Sequence, residues 1–447
     1  MKNIVIIGNG VAGATFAREL RKQDLSASKF SITLISDESD LFFSRTALMY
    51  VYMGHMTQEN LEPYTQKFWD DAQIDLVFNK VVEVNSENKF ITFESGEHMS
   101  YDELIIATGS KPRHVDTKGH DLKGIQALYF KQDLASLPQN NKACKTAVIA
   151  GGGLIGIELA EMLLSRNIEV HFLVRETHFW KAVISREEGD FLQKHFDKHH
   201  NVHFHYEAEI AEFIGETNVT GIKTLTGKVI DCQFVGMTIG VECNIGWLNA
   251  SSGINVNRGI LVNGLLETNV PNIYGIGDCI ELLEPKSGRR AIEPVWYTGK
   301  MMGQALAKTI AGIPTDYNPG IWFNSAKFFD VEYQTYGNVY SVLQENEAEF
   351  MFKNEQETIL LRFIFNATTQ QFIGVNTFGV RLRHELFNEW IEKGAMMDEV
   401  ISNLKSANFD PEFFKHYEAE ILAKYNEEFN KNVQLAKKVW WKSLLKN

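Results

Sequence analysis

Residues 145–158, KTAVIAGGGLIGIE, constrain this chain more than any other stretch. The apolar run from Ala147 to Ala150 predicts a buried strand, Gly151, Gly153 and Gly156 follow it, and the apolar spacing beyond predicts a helix. Strand, tight turn and helix in that order seat a pyrophosphate on a helix N-terminus. Glycines let the backbone approach, and unpaired N–H groups with the helix dipole meet the charge. Residues 3–16, NIVIIGNGVAGATF, repeat the arrangement with Gly8, Gly10 and Gly13. One such turn implies a bound dinucleotide; two in one chain imply that electrons pass between two cofactors.

The length of 447 residues accommodates about three domains, and a 44% hydrophobic content supports sizeable cores. The N-terminus enters its first strand at once, without the charged lead and apolar stretch of a signal peptide. Nothing later approaches the roughly 18 apolar residues of a spanning helix, so a cytoplasmic location is expected. Cys144, Cys232, Cys243 and Cys279 show neither a CxxC pair nor a zinc-ligand spacing and read as reduced packing thiols; no metal site is expected. A formal net charge of -13 argues against nucleic acid as the main partner.

In chain order, Ile4–Ile7 is the first predicted strand, 11–23 the first helix, and Ser31–Ile35 the second strand, ending on Ser36, Asp37 and Glu38. An acid about 20 residues beyond the glycines suits a ribose diol, because a carboxylate accepts two hydrogen bonds; Asp37 is the first choice and Glu38 the second. Residues 41–54, LFFSRTALMYVYMG, are aromatic-rich with one charge, Arg45, placed to meet a pyrophosphate or the edge of an isoalloxazine. Alternation in 80–84 and 89–93 around the turn 95–97 predicts a small antiparallel sheet. Glu103–Ala107 is another buried strand, ending at Thr108-Gly109-Ser110.

Four ordered motifs together resemble the two-dinucleotide-binding flavoproteins, also called the FAD-dependent pyridine nucleotide-disulfide oxidoreductases. They are GNGVAG at 8–13, YDELIIATGSKP at 101–112, GGGLIGIELA at 151–160 and TNVPNIYGIGD at 268–278. The resemblance implies an α/β fold with two Rossmann-like dinucleotide-binding domains, the NAD domain inserted in the FAD domain, plus a C-terminal α+β interface domain. The borders it implies are 1–117 and 255–320 for FAD, 118–254 for NAD(P)H and 321–447 for the interface domain, through which a homodimer is expected. For FAD it implies Gly8, Gly10, Gly13, Asp37, Glu38, Arg45, Val82, Thr108, Gly109, Gly277 and Asp278, with Pro294 and Trp296 near the ring. For the nicotinamide nucleotide it implies Gly151, Gly153, Leu154, Ile155, Gly156, Glu158, Arg175, Glu176 and Gly240. Glu158 and Arg45 are its candidates beside the reacting rings. Arg175 suits a 2'-phosphate, whereas Glu176 and Gly156 favour NADH, so the choice between NADH and NADPH stays open.

The important departure is the missing redox cysteine. Disulfide-reducing relatives carry one in the segment that here reads SRTALMY, and Thr46 occupies its place. A hydroxyl has no disulfide chemistry, so electrons are expected to leave directly from the flavin. SRTALMYVYMG looks most like the corresponding segment of rubredoxin reductases and nitrite reductase flavin subunits. A small acidic iron-sulfur or rubredoxin-type carrier is the expected acceptor, docking on Arg289, Arg290 and the tail lysines. The tail NVQLAKKVWWKSLLKN reads as a basic amphipathic helix, which opens peripheral membrane contact as well. Alternative readings are a type II NADH:quinone reductase and an apoptosis-inducing-factor-like redox-responsive binding protein.

Overall fold

The computed structural model describes all residues except 141, 142, 249, 287, 411, 413, 414 and 437–447, and the side chains of 138–140. Two compact units emerge: residues 1–173 with 209–319, and residues 174–208 with the chain from 320 on.

In the first unit, five parallel strands form one sheet in the order Ile273–Gly275, Glu103–Ile106, Lys2–Ile7, Phe30–Ser36, Ile74–Phe78. The central strand pairs Ile4 with Ile32 on one side and with Glu103 on the other. Val5, Ile6 and Leu104 to Ile106 are fully buried, as near-continuous apolar runs must be in a parallel sheet covered on both faces. Strand order reverses at the end of Lys2–Ile7, and in open α/β sheets that switch point opens a crevice at the carboxyl ends of the strands.

Helix Val11–Lys22 leaves this point and packs on helix Trp296–Ile310. Glycine permits the approach, because a Cβ on Gly303 would stand 2.6 Å from the Ala12 carbonyl oxygen. Arg21 closes the far end of the first helix, donating to the carbonyls of Ala72, Phe30 and Gln73.

A second parallel sheet in the same unit runs Glu169–Val174, Thr146–Ala150, Phe234–Met237, Ile125–Gln126. Thr146 pairs with Glu169 and Ala147 with Phe234, so this strand too is central and heads a glycine turn. The predicted small sheet is present as Val81–Asn85, Phe90–Phe93 and His98–Ser100.

The second unit is α+β. Its antiparallel sheet, in the order Phe323–Phe328, Val331–Gly337, Phe372–Phe378, Leu360–Asn366, Glu347–Lys353, packs helices His384–Glu392, Met397–Ala407 and Glu418–Phe429 over a core that includes Phe363, Phe372, Phe387 and Val400. Three of these strands, over 332–336, 358–365 and 371–378, and one helix, over about 382–393, are predicted by the sequence itself. Helix Arg186–Phe196 belongs here as well, opened by a capping box in which Ser185 and Glu188 exchange hydrogen bonds.

Glu188 is fully buried and also accepts from Arg362 (3.4 Å) and Asn376 (2.8 Å), while Arg362 reaches Glu349 (2.7 Å) and the Tyr340 carbonyl. Burial pushes the Glu188 carboxyl up, against the pull of Arg362 and the capping hydrogen bonds. Removing one member of such a pair strands the other. Arg362→Met is expected to cost about 3–5 kcal/mol, read by denaturant unfolding of the full chain, and the double variant Arg362→Met with Glu188→Gln should recover part of that loss.

Candidate dinucleotide sites

The first glycine turn is built from three distinct constraints. Gly8 has φ +112°, and a Cβ there would lie 2.2 Å from the Ala107 carbonyl oxygen, so only glycine lets this turn pass the neighbouring strand. On Gly13 a Cβ would lie 2.0 Å from the Gly8 carbonyl oxygen, which seats the helix against its own turn. Gly10 has open space where its side chain would be, and it caps helix Val11–Lys22 with no side-chain hydrogen bond. The helix N-terminus therefore presents free N–H groups and its positive dipole end to an exposed surface, as an anion requires.

Around it a cleft is lined by Gly8, Gly10, Asp37, Glu38, Arg45, Thr108, Gly109, Gly277 and Asp278, all predicted from sequence. Val82 is exposed and its neighbour Val81 lines the cleft, because alternation along the strand Val81–Asn85 turns the Val82 side chain to solvent. Pro294 and Trp296 are not among the lining residues either. They stand at the start of helix Trp296–Ile310, where Lys300 lies over the Trp296 ring.

Polar groups in the cleft are tied into one network. Both Glu38 oxygens accept from Arg45 (3.0 and 2.7 Å), and Oε1 also accepts from the Lys131 backbone N–H. The Glu38 carboxylate thus holds Arg45, and its exposed neighbour Asp37 also lines the cleft. Arg45 donates further to the Tyr129 carbonyl and lies 4.5 Å from the Tyr129 ring centre. Burial opposes the Arg45 charge, but Glu38 outweighs it and holds the guanidinium above its usual value.

Asp278 accepts from Ser110 Oγ at 2.9 Å, and the Ser110 and Tyr129 hydroxyls are 2.8 Å apart. Burial pushes the Asp278 carboxyl up, partly offset by Ser110 and Arg45. Ser110, Tyr129, Asn244 and Trp247 escaped the sequence reading. Asn244 and Trp247 lie in a stretch assigned by sequence to the nicotinamide domain. In the structure strand Val241–Cys243 pairs with Ser110–Pro112, and Thr108 Oγ1 donates to the Asn244 carbonyl, which brings that stretch onto the cleft. No local signal marks such a return crossing.

The second turn repeats the three constraints. Gly151 has φ +114° and its Cβ would meet the Thr238 carbonyl oxygen at 2.3 Å; Gly156 would meet the Gly151 carbonyl oxygen at 2.6 Å; Gly153 faces open space and caps helix Leu154–Leu164 without a side-chain bond. Leu154 and Ile155 form the first turn of that helix, and Gly240, with φ +104°, follows the Thr238 approach. Half-buried Glu158 lies one turn on, and desolvation, with Glu161 adding to it, pushes its carboxyl up to about 7. Arg175 and Glu176 belong to the other unit, where they pair with each other at 3.2 Å.

Comparison with known proteins agrees with this geometry. A family model described as pyridine nucleotide-disulphide oxidoreductase matches residues 2–303. Among curated proteins, a nitrite reductase [NAD(P)H] of Bacillus subtilis is 29% identical over 400 residues, covering 89% of this chain and 48% of its own length. Rhodocoxin reductase of Rhodococcus erythropolis is 30% identical over 331 residues, covering 73% of this chain and 76% of its own. The chain thus spans about half the length of the Bacillus subtilis relatives it matches. Among solved structures, a ferredoxin reductase from Rhodopseudomonas palustris superposes with a TM-score of 0.76 at 23% identity, covering 85% of this chain and 91% of that one.

Two outcomes test the sites. Gly10→Val suits the backbone at that position and its Cβ has no protein atom within 4 Å, so the chain should fold, by circular dichroism, while flavin absorbance per protein falls at least roughly tenfold. Glu158 holds its proton more tightly folded than unfolded, so it withdraws stability as pH rises from its ordinary 4.5 through about 7. Glu158→Gln should therefore melt with the parent at pH 4 and above it at pH 8, by at most about 3 kcal/mol.

Proposed function

This chain belongs to the pyridine nucleotide-disulphide oxidoreductase family, and on that premise we propose that it carries electrons from NAD(P)H through FAD to a small iron-sulfur or rubredoxin-type carrier. The observation that carries the reading is the pair of glycine turns, each heading the central strand of its own parallel sheet and each leaving one helix N-terminus open. Two such turns serve two dinucleotides. In this reading residues 1–117 and 255–320 hold FAD, with the 241–247 stretch contributing to the cleft, and 118–254 hold the nicotinamide nucleotide.

The chemistry supplied when both are bound is hydride transfer from nicotinamide to flavin. The protein's part is position and charge. Helix Val11–Lys22 receives the FAD pyrophosphate on its free N–H groups, Asp37 the ribose, and Asp278, kept in place by Ser110, the polar chain beyond. Helix Leu154–Leu164 receives the second pyrophosphate, and Glu158 orients the nicotinamide carboxamide.

Direct exit of electrons from the flavin is supported by the thiols. Cys232, Cys243 and Cys279 are buried, and desolvation pushes all four thiols up to about 11 or 12, far from the thiolate form that exchange requires. Thr46 stands in the turn Arg45–Ala47. Relatives named for electron delivery to carriers, such as rhodocoxin reductase, support the choice of acceptor.

The expected docking patch needs revision. Arg289 is buried and bound to Glu293, so of that pair only Arg290 is exposed. Lys431 is bound to Asp398, and the other tail lysines, with Trp440 and Trp441, lie outside the described residues. Among the described residues no helix is long and apolar enough to cross a membrane. A homodimer formed through the C-terminal unit and a cytoplasmic setting remain part of the proposal.

Anaerobic titration with NADH, and separately NADPH, tests the core of it. One hydride equivalent should bleach each flavin completely, with one nucleotide preferred. Consumption of two equivalents would return a cysteine to the mechanism, and no bleaching with either nucleotide would end the reductase reading.

A further inference from the structure

We propose that His114, Asp116 and His120 form a site for one divalent transition-metal ion of the zinc type. The three residues occupy the loop between strands Ser110–Pro112 and Ile125–Gln126, and one ligand atom from each lies within 4.8 Å of the other two. A tetrahedral ion bound at about 2.0–2.2 Å keeps its ligands roughly 3.4 Å apart, so closure by at most about 1.4 Å completes the set. All three side chains are exposed.

Part of the arrangement is already made. His114 Nε2 lies 3.2 Å from Asp116 Oδ1, and the two imidazoles meet edge to face with centroids 4.9 Å apart. His120 Nδ1 lies 3.2 Å from the Thr117 carbonyl oxygen. A neutral imidazole donating there keeps its Nε2 lone pair free, which is how metal-binding histidines are usually oriented, through a hydrogen bond from the other ring nitrogen to a carbonyl.

The backbone is fixed just before the set and again within it. Pro112 and Lys111 pair with Val241 and Glu242, and Arg113 donates its N–H to the Gly240 carbonyl. Between Asp116 and His120 the Lys118 carbonyl accepts from Phe213, Lys118 Nζ binds Glu212 at 2.6 Å, and Gly119, at φ +81°, passes so close that a Cβ would meet the Phe213 carbonyl oxygen at 2.5 Å. A loop held at these two places loses little further entropy on binding an ion.

Two imidazoles and one carboxylate suit zinc, nickel or copper, whereas magnesium demands oxygen ligands in octahedral geometry. His114 and His120 also line a cavity of about 410 Å³, together with Lys111 and Arg113. Three protein ligands leave a coordination position open, and water or a small anion reaches it from this cavity.

Isothermal titration of the FAD-loaded full chain with zinc chloride tests the assignment. One equivalent should bind, Asp116→Asn should weaken binding by roughly tenfold or more, and the double variant His114→Ala with His120→Ala should abolish it while its flavin spectrum stays at the parent level. Magnesium chloride should give no binding heat. A parent chain that takes up no zinc, or a double variant that binds it as the parent does, would overturn the site.

Discussion

Gly8 passes close beside the Ala107 carbonyl, where a Cβ would not fit, and much of the unit depends on that passage. Without a Cβ the turn can hug the neighbouring strand, the helix can start immediately, and Gly13 can draw that helix down onto the Gly8 carbonyl. The helix is then placed so that Gly299 and Gly303 of a helix nearly three hundred residues later pack against Val11, Ala12 and Thr15. A side chain at Gly8, Gly13 or Gly303 would collide with backbone, and one at Gly299 would crowd Val11. The result is a helix N-terminus with free donors aimed at a crevice, which is the electrostatic requirement for a pyrophosphate.

Residues 151–156 solve the same problem with other neighbours. There the close carbonyl belongs to Thr238, and the ring of Phe172 crowds Gly156 as well. Two copies of one local solution, each heading a central parallel strand, are what the proposal of two dinucleotide positions rests on. What differs is the surrounding charge. The first turn opens onto a cleft whose Arg45, Glu38, Ser110, Tyr129 and Asp278 are mutually bound. The second is followed by Glu158, whose carboxyl is pushed up by desolvation and a second acid, Glu161. A proton held there near neutral pH fits a group that hydrogen-bonds an uncharged amide better than one that balances a cation.

The C-terminal unit follows other rules. Its antiparallel strands alternate less regularly than the parallel ones are apolar, and Phe323–Phe328 and Glu347–Lys353 gave no clear period-two signal. Its helix Arg186–Phe196 comes from a distant part of the chain, and the pairing of Glu188 with Arg362 and Asn376 is visible only once that helix and the sheet share one core.

By itself the sequence determined what local sterics and periodicity control. The two glycine turns, the parallel strands that precede them, Thr108-Gly109 and Gly277-Asp278 at strand ends, and the place of Asp37 were all legible, because each needs only a few consecutive residues. The tertiary structure alone decided which polar groups share the cleft. Glu38 was read as a second choice for a ribose, and its pairing with Arg45 was not; Arg289 was read as a docking cation and is buried on Glu293; Ser110, Tyr129, Asn244 and Trp247 were not read as cleft residues. Charge pairing and cleft lining depend on distances between segments far apart in the chain, and spacing along a sequence carries no record of those distances.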